Sequence, residues 1–252
     1  MTTPGSRFRQ READEVTRSA ADGSNYADLV IHDLHRYSQP PSDTPYSLEF
    51  CAHLLGNLEG KTVVDYGCGA GENSVLLAMR KARVIGVDIS PDLISLAHKR
   101  MVLNSVRANY EFRVGSCYET GIPDHSVDGV LGVAILHHLE LELAAREIRR
   151  ILKPGGFVVL QEPIRDSALV RFVRGLFPAQ GNNISPHEHP LTSAELMSVV
   201  SGMEIVTVRK FRLPHLVFLS GYAAHRIDRR LLSALPFLSR YASVCVVKAV
   251  AN

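Results

Sequence analysis

The run Val63-Val64-Asp65-Tyr66 leads directly into Gly67-Cys68-Gly69-Ala70-Gly71-Glu72-Asn73. Glycines at a strand-to-helix turn let the backbone approach a ligand closely, and the helix start beyond them offers free N–H groups. The spacing is G-x-G-x-G, not the G-x-G-x-x-G of dinucleotide binders. About twenty residues on, Asp88 ends a second apolar run, Val84-Ile85-Gly86-Val87, where a carboxylate can accept both hydroxyls of a ribose. Together these residues describe a site for a nucleoside. Taken singly they have plainer readings: a tight turn for the glycines, a helix cap or solvated acid for Asp88.

A second group of residues could move a proton. His138 and His137 follow a fourth apolar run, at the sheet edge where open α/β folds place their ligands. A histidine titrating near neutrality serves as a general base. His187-Glu188-His189 has metal-like spacing, but no further Cys or His stands at a matching distance, so no metal is expected. The loop reads instead as a border of the substrate site, with His189 facing it. Tyr26 and Tyr37 read as aromatics that either close over the ligand or simply pack. His32 and His35 read as amphipathic surface or as substrate-facing, the former being the simpler reading.

These residues need elements to hold them. Apolar runs at Thr62–Tyr66, Arg83–Val87, Tyr110–Val114, Val127–Val133 and Phe157–Leu160 alternate with amphipathic stretches. That β-α alternation predicts a doubly wound, mostly parallel α/β sheet. Ser90-Pro91-Asp92 starts a helix well, and Lys153-Pro154-Gly155-Gly156 stops another. Strands near Ile205–Val208 and Ser243–Val250, without a normal crossover, predict an antiparallel edge. Helices are expected at Asn25–Tyr37, Tyr46–Leu55, Ser167–Phe177 and Thr192–Ser201. We read 1–252 as one domain: a helical cap over 1–58, a cofactor core over 59–162, and substrate-side elements over 163–252 with a helical insert at 213–240.

The insert is more apolar than a surface helix needs. His215, Phe218 and Tyr222 there are candidate substrate contacts. A pocket lid, a homodimer face and a membrane-surface contact remain open for it. Arg226, Arg229 and Arg230 flank it, compatible with an acidic substrate, an anionic lipid or a solvated face.

Composition excludes some classes. The 252 residues are 46% hydrophobic and 21% charged, with a net charge of +2, so nothing demands nucleic acid. No stretch is long and apolar enough for a transmembrane span. The N-terminal residues lack the apolar core of a secretory signal. Four scattered cysteines read as reduced thiols of a cytoplasmic protein.

The motifs resemble a known family. VVDYGCGAGEN followed by VIGVDIS, then GSCYETGIPDHSVD, AILHHL and ILKPGG, are similar in order and spacing to the class I methyltransferases dependent on S-adenosylmethionine (SAM). The similarity spans about residues 60–162 and is strongest to the type 11, ubiquinone/menaquinone-biosynthesis-like subgroup. It implies a seven-stranded Rossmann-like methyltransferase fold. It places Asp65, Gly67, Cys68 and Gly69 around the methionine part of SAM, Asp88 on the ribose and Ile89 against the adenine. Gly132 and Val133 would border the methionine end. Ser116 stands where the family commonly has an acid for the adenine amino group, and Cys117 would offer its N–H to the ring. In the family the His-His pair recurs as a structural feature near the cofactor.

The implied activity is transfer of a methyl group (EC 2.1.1.-) to an O, N or C nucleophile of an apolar small molecule, leaving S-adenosylhomocysteine. A SAM-binding cyclase or rearrangement catalyst on the same scaffold is the alternative. A nucleic-acid methyltransferase is disfavoured, because the fourth strand ends in GVAILHHL without an N/D-P-P-Y/F loop. An NAD-dependent oxidoreductase is disfavoured by the loop spacing.

Overall fold

The computed structural model describes Val16 and residues 29–107, 109–167, 191–213 and 222–252. Its strands are β1 (Thr62–Tyr66), β2 (Arg83–Asp88), β3 (Tyr110–Val114), β4 (Val127–Val133), β5 (Leu152–Pro163), β6 (Glu204–Phe211) and β7 (Val244–Val250). They form one sheet in the order β3-β2-β1-β4-β5-β7-β6. The first five pair in parallel. Antiparallel pairing occurs at the expected edge: β7 runs against both β5 and the outermost strand, β6.

The helices are α1 (Ser47–Leu55), α2 (Glu72–Met79), α3 (Pro91–Leu103), α4 (Leu141–Ile151), α5 (Ser193–Val199) and α6 (Tyr222–Ala234). Successive strand residues point to opposite faces, so Val63 and Val64 enter different cores. Phe50 and Leu55 of α1 and Leu77 of α2 cover Val63, Leu131 and Val159. Ala144, Ile148 and Ile151 of α4, with Leu196 and Val199 of α5, cover Val64, Val130 and Leu160. Burial of both faces is why β1 and β4 are near-continuous apolar runs.

Local chemistry sets the helix starts. Ser90 Oγ accepts the Leu93 N–H with Pro91 in the first turn of α3. Thr192 and Glu195 form a reciprocal capping box on α5.

Three expectations need correction. The expected helix Asn25–Tyr37 is, among the described residues, irregular through Asp33 and a single 3-10 turn over Leu34–Tyr37. The reason is long-range: Asn104 accepts the Ile31 N–H and donates to the Leu29 carbonyl, both at 2.8 Å, using groups a helix would need. Lys153–Gly156, expected only as a helix stop, lies beyond the end of α4 at Ile151 and already belongs to β5, which starts at Leu152. Pairing jumps from Val127–Leu152 to Gly129–Phe157, so this segment is a wide bulge, with Gly155 at φ +74°. The strand expected at Ile205–Val208 extends over Glu204–Phe211.

The Ser167–Phe177 helix falls outside the described residues beyond its first residue, as do residues 214–221 of the insert. The rest of the insert is helical: α6 and a 3-10 turn over Pro236–Tyr241.

Candidate functional site

The chain order reverses across β1, whose neighbours are β2 and β4. Loops leaving the C-terminal ends of β1 to β4 therefore meet above one crevice.

The first loop folds down onto β2. The Gly67 and Cys68 N–H groups both donate to the Val87 carbonyl, at 2.9 and 3.0 Å. Gly67 sits at φ +72°, and a Cβ there would lie 2.4 Å from Ile135 Cδ1. Gly69, at φ +50°, would meet nothing within 4 Å, so this is where a ligand can reach the main chain. A left-handed backbone costs an L residue about 1–2 kcal/mol. Gly67→Ala should therefore lower the melting temperature more than Gly69→Ala, since only the first also displaces Ile135. Equal melting temperatures would contradict this packing.

Asp88 serves the loop directly. Its Oδ2 accepts the Gly69 N–H at 2.8 Å and its Oδ1 the Ser90 N–H at 2.9 Å. A carboxylate offers about four acceptor positions, so Asp88 can hold the loop and a ligand hydroxyl together. Ile89, next in the chain, is half-buried.

Beneath the loop Asp65 is 1% exposed. Its Oδ2 accepts from Ser74 Oγ at 2.6 Å, and its Oδ1 is buried with no hydrogen-bond partner among the described residues. Burial pushes this carboxyl up to about 7; the Ser74 bond opposes the rise and the Asp88 charge adds to it. A buried carboxylate with an open oxygen is suited to a cationic donor.

The loop after β3 is tied from below. Cys117, buried, presents its carbonyl to the hydroxyl of the wholly buried Tyr66. Glu147 of α4 accepts the Thr120 N–H at 2.8 Å. Ser116 Oγ accepts the Tyr118 N–H at 3.0 Å, a local turn bond.

The loop after β4 contains Gly132, Val133 and the two histidines, and an unforeseen residue organises it. Glu162, at the end of β5, is 0% exposed. Its Oε1 accepts the Ile135 and Leu136 N–H groups at 2.8 and 2.7 Å, and its Oε2 meets His137 Nδ1 at 2.8 Å. Ala134 adopts φ +54° as the chain turns there, its N–H donating to the Gln161 carbonyl at 2.8 Å. The His138 ring lies 4.1 Å from that of His137. The only sequence signal for Glu162 was an acid ending an apolar strand. Removing one member of such a buried charged network costs about 3–5 kcal/mol. Glu162→Ala should show a loss of that size in denaturant unfolding, and a loss under 1 kcal/mol would refute the network.

The remaining candidates lie apart. Tyr37 is half-buried beside α2, its carbonyl accepting from Arg80 Nη1 at 2.7 Å. Burial raises its phenol, against the lowering effect of Arg36. Tyr26, His189, His215 and Phe218 lie outside the described residues, as do His187 and Glu188, and only the backbone of Tyr222 is described. Among the described residues no three His, Cys, Asp or Glu side chains converge as metal ligands.

A family model described as a methyltransferase domain matches residues 64–160. The chain is 31% identical over 118 residues to a demethylmenaquinone methyltransferase of Symbiobacterium thermophilum, covering 45% of this chain and 47% of that one. It spans about half the length of the curated relatives it matches. Among solved structures its fold is similar to geranyl diphosphate C-methyltransferase from Streptomyces coelicolor A3(2), with a TM-score of 0.61 and 18% identity over 81% of this chain and 79% of that one. It is also similar to the cyclase SpnF, with a TM-score of 0.56 and 16% identity over 77% and 75%. At such identities the likeness is one of fold. The matched segment runs from the third residue of β1 through most of β5 and contains the glycine loop, Asp88 and the post-β4 loop; over it the chain is similar to a methyltransferase domain.

Proposed function

We propose that this protein transfers a methyl group from SAM to a small-molecule acceptor. The observation that carries the reading is Asp65, a buried carboxylate with one open oxygen below a glycine loop that Asp88 holds in shape. Bound there, SAM supplies a methyl on a sulfonium, ready for in-line displacement. Asp65 receives the ligand's ammonium, and the Gly67–Gly69 backbone its carboxylate end. Asp88 accepts the ribose hydroxyls, Ile89 packs on the adenine, and Ser116 and Cys117 border its polar edge. Gly132 and Val133 keep the wall near the methyl free of bulk.

The proton-handling group is His137, with His138 beside it. Glu162 on Nδ1 fixes the tautomer and leaves Nε2 to take a proton from an O, N or acidic C nucleophile. Tyr26, Tyr37, His189, His215, Phe218 and Tyr222 remain the acceptor-side candidates. Demethylmenaquinone and geranyl diphosphate, named for the similar proteins, support an acceptor with an apolar body. The four buried cysteines, none of them in a disulfide, fit a cytoplasmic setting.

Incubation with labelled SAM and candidate acceptors, reading S-adenosylhomocysteine release, tests the reading. SAM binding without release from any acceptor turned over would favour a cyclase-type catalyst.

The Asp65 shift gives a pH prediction. A free aspartate titrates near 3.9, and this one near 7, so without ligand it is largely protonated below that pH. A cationic ligand favours the ionised form. SAM binding should release a proton below pH 7, and affinity should rise between about pH 5 and 7 by up to tenfold per unit. Calorimetry in buffers of different ionisation heat reads the proton. Folding has the opposite dependence: the native state holds the proton more tightly, so this group's contribution is present at low pH and is lost as pH rises from about 4 to 7, by about 4 kcal/mol. Asp65→Asn should remove both dependences; a pH-independent wild-type affinity would refute the ammonium assignment.

A further inference from the structure

A cavity of about 900 Å³ opens between residues 36–49 and α6. Its wall carries the guanidiniums of Arg36, Arg226, Arg229 and Arg230 against two carboxylates, Asp43 and Glu49. Arg226, Arg229, Arg230 and Ser233 recur at i, i+3, i+4 and i+7, so one face of α6 supplies them.

Glu49 is already engaged: Oε1 accepts from Arg36 Nε at 2.9 Å and lies 2.6 Å from Nη2, while Oε2 accepts from Thr44. Arg229 has a buried Nε without a hydrogen-bond partner among the described residues, although its Nη1 reaches Ser233. Arg209 adds a fifth cation behind the wall, stacked 4.5 Å from both Phe50 and Phe211 and donating to the Ser42 and Thr44 carbonyls. Burial first, and the Arg229 charge second, lower its pKa to about 10; Asp43 and Asp228 oppose this. Asp228 is itself taken up by the Arg212 and Leu213 N–H groups. Among the described residues, four guanidiniums and two carboxylates thus line one concave surface.

We propose that this cavity binds a phosphate or diphosphate group, the anionic end of the methyl acceptor. Guanidiniums pair with phosphate oxygens in bidentate fashion, and several converging forks match a multiply charged group better than a single carboxylate. The cavity also lies on the acceptor side. Cys51, on the same turn of α1 as Glu49, contacts Gln161, whose carbonyl holds the post-β4 loop. The acceptor assignment rests on the methyl-transfer reading above; the anion site does not.

The probe is inorganic pyrophosphate, titrated into the full chain by calorimetry. Saturable binding that weakens with added salt is expected, with a loss of about tenfold or more in Arg226→Gln and in Arg230→Gln. Both residues are exposed, so the variants should keep wild-type melting and SAM affinity. No saturable binding at millimolar pyrophosphate, or equal binding by the variants, overturns the site. Arginine-dependent sedimentation with phosphatidylglycerol vesicles without pyrophosphate binding overturns it in favour of a membrane contact. Pyrophosphate binding by a protein that never binds SAM keeps the anion site and sinks the methyl-transfer reading instead.

Discussion

Replacing Asp88 with alanine will weaken SAM binding by at least about 100-fold. Two effects add. The ribose loses a charged acceptor for two hydroxyls, and hydrogen bonds to charged groups contribute about 1.5–3 kcal/mol each. The loop also loses its staple, because the same carboxylate accepts the Gly69 and Ser90 N–H groups. A loss of about 3 kcal/mol corresponds to roughly 150-fold in affinity. Asp88→Asn separates the two effects: its amide oxygen can still accept one N–H, so the loop holds better while the charge is gone. It should bind more weakly than wild type and more tightly than Asp88→Ala. Calorimetric affinity for Asp88→Ala within threefold of wild type would remove Asp88 from the ribose.

The glycine turn, the strand ending in an acid and the Ser-Pro-Asp helix start were legible because their determinants are local. Each acts within a few residues, and the structure has a left-handed glycine turn, a strand ending at Asp88 and a Ser90-capped helix at those positions. What stayed hidden depends on distant partners. Glu162 reads as an ordinary strand end until the register of β4 against β5 sets it under Ile135, Leu136 and His137. Residues 29–31 lie in the stretch expected to be helical, yet Asn104 takes the Leu29 carbonyl and the Ile31 N–H across the fold. Lys153–Gly156 has the residues of a helix stop, and nothing in that string says that a strand already runs through it. The arginines of α6 show helical spacing in the sequence, but only folding supplies the opposite wall, with Arg36 and the 41–49 segment. The open oxygen of Asp65 likewise exists only once burial removes water from it.

His137→Ala will slow methyl transfer by about 100-fold or more while leaving SAM affinity within about threefold of wild type. Proton transfer by a positioned base contributes typically 10²–10⁴-fold. The sequence offered His137 and His138 alike, with His138 foremost. The structure shows how the first of these rings is held. His137 has Nδ1 held by a fully buried carboxylate that also binds two loop N–H groups, so its tautomer and orientation are set. The His138 ring lies tilted beside it at 4.1 Å, and His138→Ala is the companion variant that separates the two roles. Glu162→Gln tests the coupling: it keeps an acceptor for the loop but removes the charge that supports a proton on His137. Its turnover should fall less than that of His137→Ala. A merely structural Glu162 would lower the melting temperature without lowering the turnover of the folded variant. Wild-type turnover by His137→Ala across the pH range would show that the acceptor needs no base here, and the role of Glu162 would shrink to holding the loop.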